Sequence, residues 1–405
     1  MRIYLPGDAG YDALRKPLRA DIDPYPAMVM QAEGAADIRT AILTARDKGL
    51  PLAVQATGHG THQAADGAVL LKTTEMAHVL VDPDRGIAKV GPGAVWGQVL
   101  KAAQPFGLAP LSGSSPTVGV TGYSVGGGVG WLARKFGFAA DSIIKAKVVT
   151  ADGRLLTVSA DQYPDLFWAI RGGGGNFGIV AGLEIKLFPV AKVYAGTATI
   201  DGDVTENLAA YRDWALSLPD EMSTAAIVKD HTVIVKMLST TKPAPLWTDA
   251  LENTVRKCDY ADASMGGTAA RYFDYFETLT DEAIQLAVAN HEENGSTIEI
   301  RHWGGAMAET GPDKGPVGHR SMSFSLILDN PATPPTGTNT GFLNFTADPA
   351  RTDRAFTDAN RKRLATVKKF YDPNNFFHLN SGYAAGQAPS ASTQRRPRTQ
   401  IRVPA

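Results

Sequence analysis

The chain has 405 residues, 44% of them hydrophobic and 20% charged, enough to bury a large core and, by length alone, to form about two to three domains. Forty basic against 41 acidic side chains leave a formal charge of −1, so no global electrostatic drive toward nucleic acid or an anionic membrane exists. The single cysteine, Cys258, excludes an intramolecular disulfide framework and a zinc–thiolate cluster. No apolar run approaches the roughly 20 residues of a membrane span, and the first residues lack a signal-peptide core. The expectation is a soluble, cytoplasmic protein that mixes helices and strands.

In chain order, residues 27–30 read as a strand. A helix over 35–48 follows, with Ile38, Ala41, Ile42 and Ala45 at helical spacing and Gly49 as its C-cap. Residues 52–55 form a second strand that runs into Gly58-His59-Gly60, and 69–71, 78–81 and 88–90 are further strands. A short helix is expected over 95–106. Residues 143–150 and 155–158 flank Ala151-Asp152-Gly153, a hairpin signal. A helix over 164–171 and a strand over 179–187 close this half. Beyond Pro189 the pattern predicts helices over 204–218, 246–258 and 283–293, strands over 225–237, 323–328 and 342–346, and a helix over 351–370. Residues 331–340 read as a loop, and 386–405 as a flexible tail without apolar periodicity.

The 41 glycines exceed average usage and concentrate in three stretches: around Gly58, over 113–130, and over 172–178. In the first, a strand feeds a turn with two hydroxyls and two imidazoles, which lets backbone N–H groups converge on an anion. The second would allow backbone to approach a large planar or phosphorylated ligand. Neither a P-loop nor a Rossmann fingerprint fits: no lysine follows a G-x-x-x-x-G spacing, and the 126–130 glycines lack a preceding strand and a ribose-binding acid.

The motifs Thr57-Gly58-His59, Pro116-Thr117-Val118-Gly119-Val120-Thr121-Gly122-Tyr123-Ser124-Val125-Gly126-Gly127-Gly128-Val129-Gly130, Leu166-Phe167-Trp168-Ala169-Ile170-Arg171-Gly172-Gly173-Gly174-Gly175-Asn176-Phe177-Gly178 and Tyr371-Asp372-Pro373-Asn374-Asn375-Phe376 occur in this order. Together they resemble the berberine-bridge-enzyme-like flavoproteins of the vanillyl-alcohol-oxidase superfamily. The resemblance implies an α+β fold: a PCMH-type FAD-binding domain of two α/β subdomains, from residues 1–190 and 350–385, with an inserted substrate domain over 191–349 of antiparallel sheet covered by helices. It places the FAD pyrophosphate on Thr57, Gly58, His59, Gly60, Thr61 and His62. The flavin ring follows Ser115, Val118, Gly119, Gly122, Tyr123, Gly127, Gly128 and Gly130, with Gly178 and Val180 on the adenine side and Asn380 as a further contact.

The same resemblance implies a covalent bond from His59 to the flavin 8α-methyl. The second link, made by a cysteine before Pro-Thr-Val-Gly, is excluded because Ser115 stands there; His62 reads as a loop-capping histidine. Valine at position 118 is the residue that the family associates with oxygen access, so an oxidase using O2 is expected, with a dehydrogenase or a non-redox flavoprotein as alternatives. The expected reaction moves a hydride from a small alcohol or amine to the flavin. Two phenols that the family uses as base and helper are replaced by Phe342 and Val129, which would instead be apolar pocket contacts. His302, His319 and Tyr123 remain as candidate catalytic groups, histidine because it titrates near neutrality; an amine substrate would need no base. Arg301, Trp303 and Asn344 complete the expected pocket. Strand alternation over 298–303 sets Glu299, Arg301 and Trp303 on one face. Trp168, Trp214 and Trp247 and the cluster 272–276 are read as core, and Arg395, Arg396 and Arg398 as a solvated tail. No metal and no nucleic-acid partner are expected.

Overall fold

The computed structural model describes residues 1–243, 250–263, 265–346 and 348–379. Asn380, Trp247, the start of the expected 246–258 helix and the 386–405 tail lie outside the described residues. The fold is α+β, built on three sheets.

The first sheet has the order Arg2–Tyr4, Met28–Gln31, Val69–Lys72, Leu52–Gln55. Its last three strands are parallel, with Gln31, Lys72 and Gln55 aligned at their carboxyl ends. Parallel pairing requires a crossover, and Ala35–Asp47 supplies one. Its Ile38, Ala41, Ile42 and Ala45 are wholly buried, as their spacing predicts. The second sheet is antiparallel throughout: Val79–Asp82, Ile87–Val90, Ile179–Lys186, Ile143–Val149, Leu155–Val158. Helices Trp96–Ala103, Pro164–Ile170 and Asp358–Tyr371 contribute to its core through Val99, Leu166, Leu364 and Val367. The last helix therefore returns to the N-terminal half. Its Lys368 is buried, bonds Asp372 at 2.6 Å and donates to the carbonyl of Asn176 at 2.7 Å, which ties the C-terminal segment to the third glycine stretch.

The third sheet has eight strands within residues 192–328, all antiparallel. Helices Val204–Ala215 and Asp281–Asn294 cover one face, burying Leu208, Tyr211, Ile284 and Val288 against Val233, Val235, Ile298 and Ile300. The opposite face packs on the 131–140 segment, with Ala225 and Leu238 beside Trp131 and Leu132, and Phe273, Tyr275 and Ile327 beside Phe138.

Four expected elements differ. The 225–237 run is a hairpin, Met222–Lys229 with Thr232–Ser239, turning on Asp230 and His231 at φ 49° and 60°; its turn carries no glycine, so the usual hairpin signal is missing. Instead of a helix ending at 258, strands Glu252–Asn253 and Arg256–Asp259 pair with Lys192–Ile200, because tertiary pairing outweighs a weak helical periodicity. The expected 342–346 strand is a single 3-10 turn, Leu343–Phe345. The 351–370 helix is divided: a 3-10 segment Pro349–Ala355 precedes Asp358–Tyr371, whose N-cap Thr357 accepts from Asn360 N–H at 3.3 Å.

Candidate active site

Strand Leu52–Gln55 delivers the first glycine turn. Gly58 has φ +79°, and a Cβ there would stand 2.8 Å from Pro17 Cα, so only glycine fits. The turn closes with Thr61 N–H on Gly58 O at 3.4 Å. Beneath it, buried Lys72 donates to Gln55 Oε1, and Gln55 Nε2 donates to Thr61 Oγ1 at 3.2 Å. No carboxylate pairs with Lys72 among the described residues, and burial pulls its pKa down to about 8.

His59 is exposed at the tip of the turn. Its Nε2 meets Thr117 Oγ1 at 2.9 Å, and Thr117 meets Ser115 Oγ at 3.0 Å. A hydrogen-bonded chain thus joins the first glycine stretch to the second. Partial desolvation lowers the His59 pKa against a smaller opposing effect of Thr117, so the imidazole is neutral near pH 7. His62 Nδ1 receives a hydrogen bond from Arg19 at 3.0 Å; burial, then Arg19 and Arg271, depress its pKa. It is occupied in fixing the loop.

In the second stretch, Val118 O accepts from Trp96 N–H at 3.0 Å and Gly119 bridges to Val95. The short helix Val120–Val125 follows. Gly60 and Gly122 face open space, whereas Gly127, Gly128 and Gly130 do not. Gly128 has φ +70°, and a Cβ there would run into the ring of Tyr123; at Gly127 it would stand 2.8 Å from the ring of Phe342. These glycines make room for aromatic rings of the protein itself. Tyr123 is packed edge-on to Trp96 with its hydroxyl buried and unbonded, and burial raises its pKa well above the ordinary value; it cannot serve as a base near neutrality. Phe342 is 2% exposed, stacked on Phe138. Asn344 pins the loop, accepting from Gly128 N–H at 2.9 Å and donating to Tyr123 O at 3.1 Å. Val180 lies in the second sheet, paired with Val148 at the irregularity between Lys147 and Val148, and Gly178 immediately precedes its strand.

Where the second stretch meets the third sheet lies a cavity of about 20 Å³, room for one water. Val129, Arg301, His302 and Trp303 border it together with Trp131. Phe342, Asn344 and His319 do not. His319 instead hydrogen-bonds Arg354 O at 3.0 Å through Nε2. Arg301 pairs with buried Glu299, which also accepts from Thr268 N–H at 2.9 Å. Burial pushes the Glu299 pKa up, but Arg301 and Thr268 outweigh it and the net displacement is downward, so the carboxylate is ionised. Arg134 donates to His302 Nε2 at 3.1 Å and to Met222 O at 2.8 Å. Desolvation first, then the Arg134 charge, drive the His302 pKa to about 3. His302 is therefore a neutral ring and a poor base. Trp131 and Arg134 escaped the sequence-derived site, although both stand in the Trp-Leu-Ala-Arg-Lys run that follows the glycines.

The model of the FAD binding domain matches residues 26–159, and that of the berberine and berberine-like segment matches residues 341–382. Over these two segments the chain is similar to the berberine-bridge-enzyme-like FAD-linked proteins. Its relatives include (R)-6-hydroxynicotine oxidase of Paenarthrobacter nicotinovorans, 35% identical over 207 residues, 50% of this chain and 45% of that protein. The chain thus spans about half the length of the curated relatives it matches. Berberine-bridge-enzyme-like 1 of Physcomitrella patens superposes with a TM-score of 0.82 at 20% identity over 93% of this chain and 95% of that one. Glucooligosaccharide oxidase of Acremonium strictum, described with a 6-S-cysteinyl, 8α-N1-histidyl FAD, gives 0.79 at 22% identity over 93% and 95%. At these identities the likeness concerns the fold. The PCMH-type fold accounts for the first two sheets and the returning C-terminal helix.

The residues present fit FAD. Thr57, Thr61, Ser115 and Thr117 supply hydroxyls, Gly60 and Gly122 leave the backbone approachable, and Lys72 places a buried positive charge below the turn expected to carry the diphosphate. Among the described residues no His, Cys, Asp and Glu cluster could hold a metal, and no helix is long and apolar enough to cross a membrane.

Proposed function

We propose that this protein is an FAD-dependent oxidoreductase, an oxidase, whose flavin is attached through His59 alone. The observation that carries the reading is the His59–Thr117–Ser115 chain, which brings the turn's imidazole against the second glycine stretch, beside a cavity on the third sheet. Bound FAD supplies the hydride acceptor. The chain's own residues do the rest. Thr117 orients the His59 ring, and the lowered pKa keeps its nitrogen available as a nucleophile. Ser115, an alcohol where a thiol would be required, restricts attachment to one bond. Trp303 and Val129 exclude water from the reacting carbon, and Arg301 and His302 offer polar contacts. The named activities of the relatives, on hydroxynicotine and on oligosaccharides, support oxidation of a small organic molecule, with O2 as acceptor given Val118.

Residues 1–190 with 350–385 are proposed as the FAD-binding domain, and 191–349 as the substrate domain, in the cytoplasm. Acid precipitation tests the attachment: the yellow colour is expected in the pellet for wild type and in the supernatant for His59→Ala. Colour in the wild-type supernatant overturns the link. Peroxide release during turnover, with fast reoxidation of the reduced flavin in air, tests the oxidase assignment; sluggish reoxidation would favour a dehydrogenase.

A further inference from the structure

The three parallel strands of the first sheet end on a polar row. Gln31, Lys72 and Gln55 are register partners at their carboxyl ends, the edge at which open sheets of this kind hold ligands. All three are buried. The amides have local partners: Gln31 Nε2 donates to Glu75 at 3.0 Å, and Gln55 Nε2 donates to Thr61 Oγ1 at 3.2 Å. Lys72 does not have a matching partner. Among the described residues its ammonium, with three donors, bonds one acceptor, Gln55 Oε1, and an amide brings no charge to offset it. A buried cation without a counter-ion is costly unless an anion completes it.

The elements covering that face supply no such anion. Alternation puts Val29, Leu70 and Ala53 on the face of the row, where they pack with Tyr11, Ala65 and Ala68. On the helix Tyr11–Arg15, Arg15 is bound to Asp12 and Asp23, and Tyr11 donates to Pro26 O with its pKa raised by burial. In the loops, Arg19 pairs with Asp21 and holds His62, and Asp66 accepts from Tyr25 N–H. Glu75 is engaged by Gln31, and His378 of the C-terminal segment bonds Asn375 O. None of these charges moves the Lys72 titration, whose depression to about 8 comes from burial. Toward the glycine turn the arrangement differs. Gln55 Nε2 lies directly under Gly58, 3.1 Å from where a Cβ would stand, and Gly60 meets open space. An anion held by the turn would have only the Gln55 amide and the Thr61 hydroxyl between it and the ammonium.

We propose that Lys72 is a positioning residue for the FAD diphosphate: through Gln55 and Thr61 its charge stabilises the doubly negative group on the turn, so that flavin binding and protonation of Lys72 are coupled. The inference rests on the flavoenzyme reading above. The two phosphates are diesters and stay ionised at neutral and alkaline pH, so a bound diphosphate raises the Lys72 pKa above its flavin-free value. Below about pH 8 the ammonium is charged with or without flavin, and affinity does not depend on its titration. Above that pH the flavin-free protein has lost a proton that binding restores, and affinity falls as pH rises.

The test uses the full chain carrying His59→Ala, so that flavin exchanges, with FAD as the probe and quenching of flavin fluorescence as the readout. The Kd is expected to stay level up to about pH 7.5 and to rise about tenfold between about pH 8 and about pH 9.5. Lys72→Met in the same background should bind FAD at least about tenfold more weakly at neutral pH and show no such rise, so that the two curves converge in alkali. Calorimetry in buffers of different ionisation enthalpy needs no Lys72 variant: uptake of about half a proton or more per FAD is expected near pH 9, and almost none near pH 7. A Kd independent of pH, no proton uptake near pH 9, or equal FAD affinity in Lys72→Met and its parent overturns the proposal. Tight FAD binding without this coupling defeats the present inference alone, whereas a chain that binds no FAD at neutral pH defeats the flavoenzyme reading.

Discussion

Replacing Lys72 by methionine should stabilise the flavin-free protein at neutral pH. Lys72 is 6% exposed at the carboxyl end of a parallel strand, with the Gln55 amide, and no carboxylate among the described residues, as its partner. Burial lowers its pKa from 10.5 to about 8, which corresponds to about 3 kcal/mol against folding while the group is charged in both states. Methionine removes that penalty at similar length but leaves Gln55 Oε1 without its donor, a loss of about 1–2 kcal/mol. The net expectation at pH 7 is a gain of about 1–2 kcal/mol. The sign changes with pH. Above about pH 8 the native protein releases the proton that the unfolded chain holds to about pH 10.5, so native wild type binds fewer protons and gains stability as pH rises through that window. The variant lacks this gain, and its advantage should vanish and then reverse by about pH 10. Urea unfolding of both proteins between pH 7 and pH 10 measures the difference directly, because every other titrating group cancels. A variant that is less stable by a constant amount at every pH would refute the claim that an unbalanced ammonium is buried under the turn.

Gly128→Ala forces a side chain into the Tyr123 ring at φ +70°; loss of more than about 3 kcal/mol is expected, seen as poor soluble yield and a lowered melting temperature. Asn344→Ala removes both bonds that pin the same loop and should cost about 2 kcal/mol, with weaker retention of non-covalent flavin in a His59→Ala background. Lys368→Met strands Asp372 in the interior and should destabilise by about 3–5 kcal/mol in chemical denaturation.

Some of the site could be read from local pattern. A strand running into Thr57-Gly58-His59, and glycine spacing over 113–130, depend only on backbone steric freedom, and alternation over 298–303 correctly set Glu299 and Arg301 together. His302, the last residue of its strand, also borders the cavity, although alternation sets it on the face opposite Arg301. Phe342 and Asn344 read as pocket residues, yet they serve the loop: which partner a ring or amide finds depends on a segment over 200 residues away. The two divided or lost helices fail for a similar reason, since a short amphipathic period is overruled by sheet pairing or by a cap.

The sequence by itself determined the chemistry that this protein can carry: two imidazoles on the turn, a hydroxyl where a second attachment would need a thiol, and glycine stretches that leave backbone approachable. Those are properties of residue type and local spacing. Only the tertiary structure decided which groups are charged and which are unsatisfied. Arg134 and His302 stand 168 residues apart in the chain, and their contact makes the histidine a neutral donor. Protonation and hydrogen-bond balance follow from solvent exclusion and neighbouring charge, which exist only once distant segments have packed.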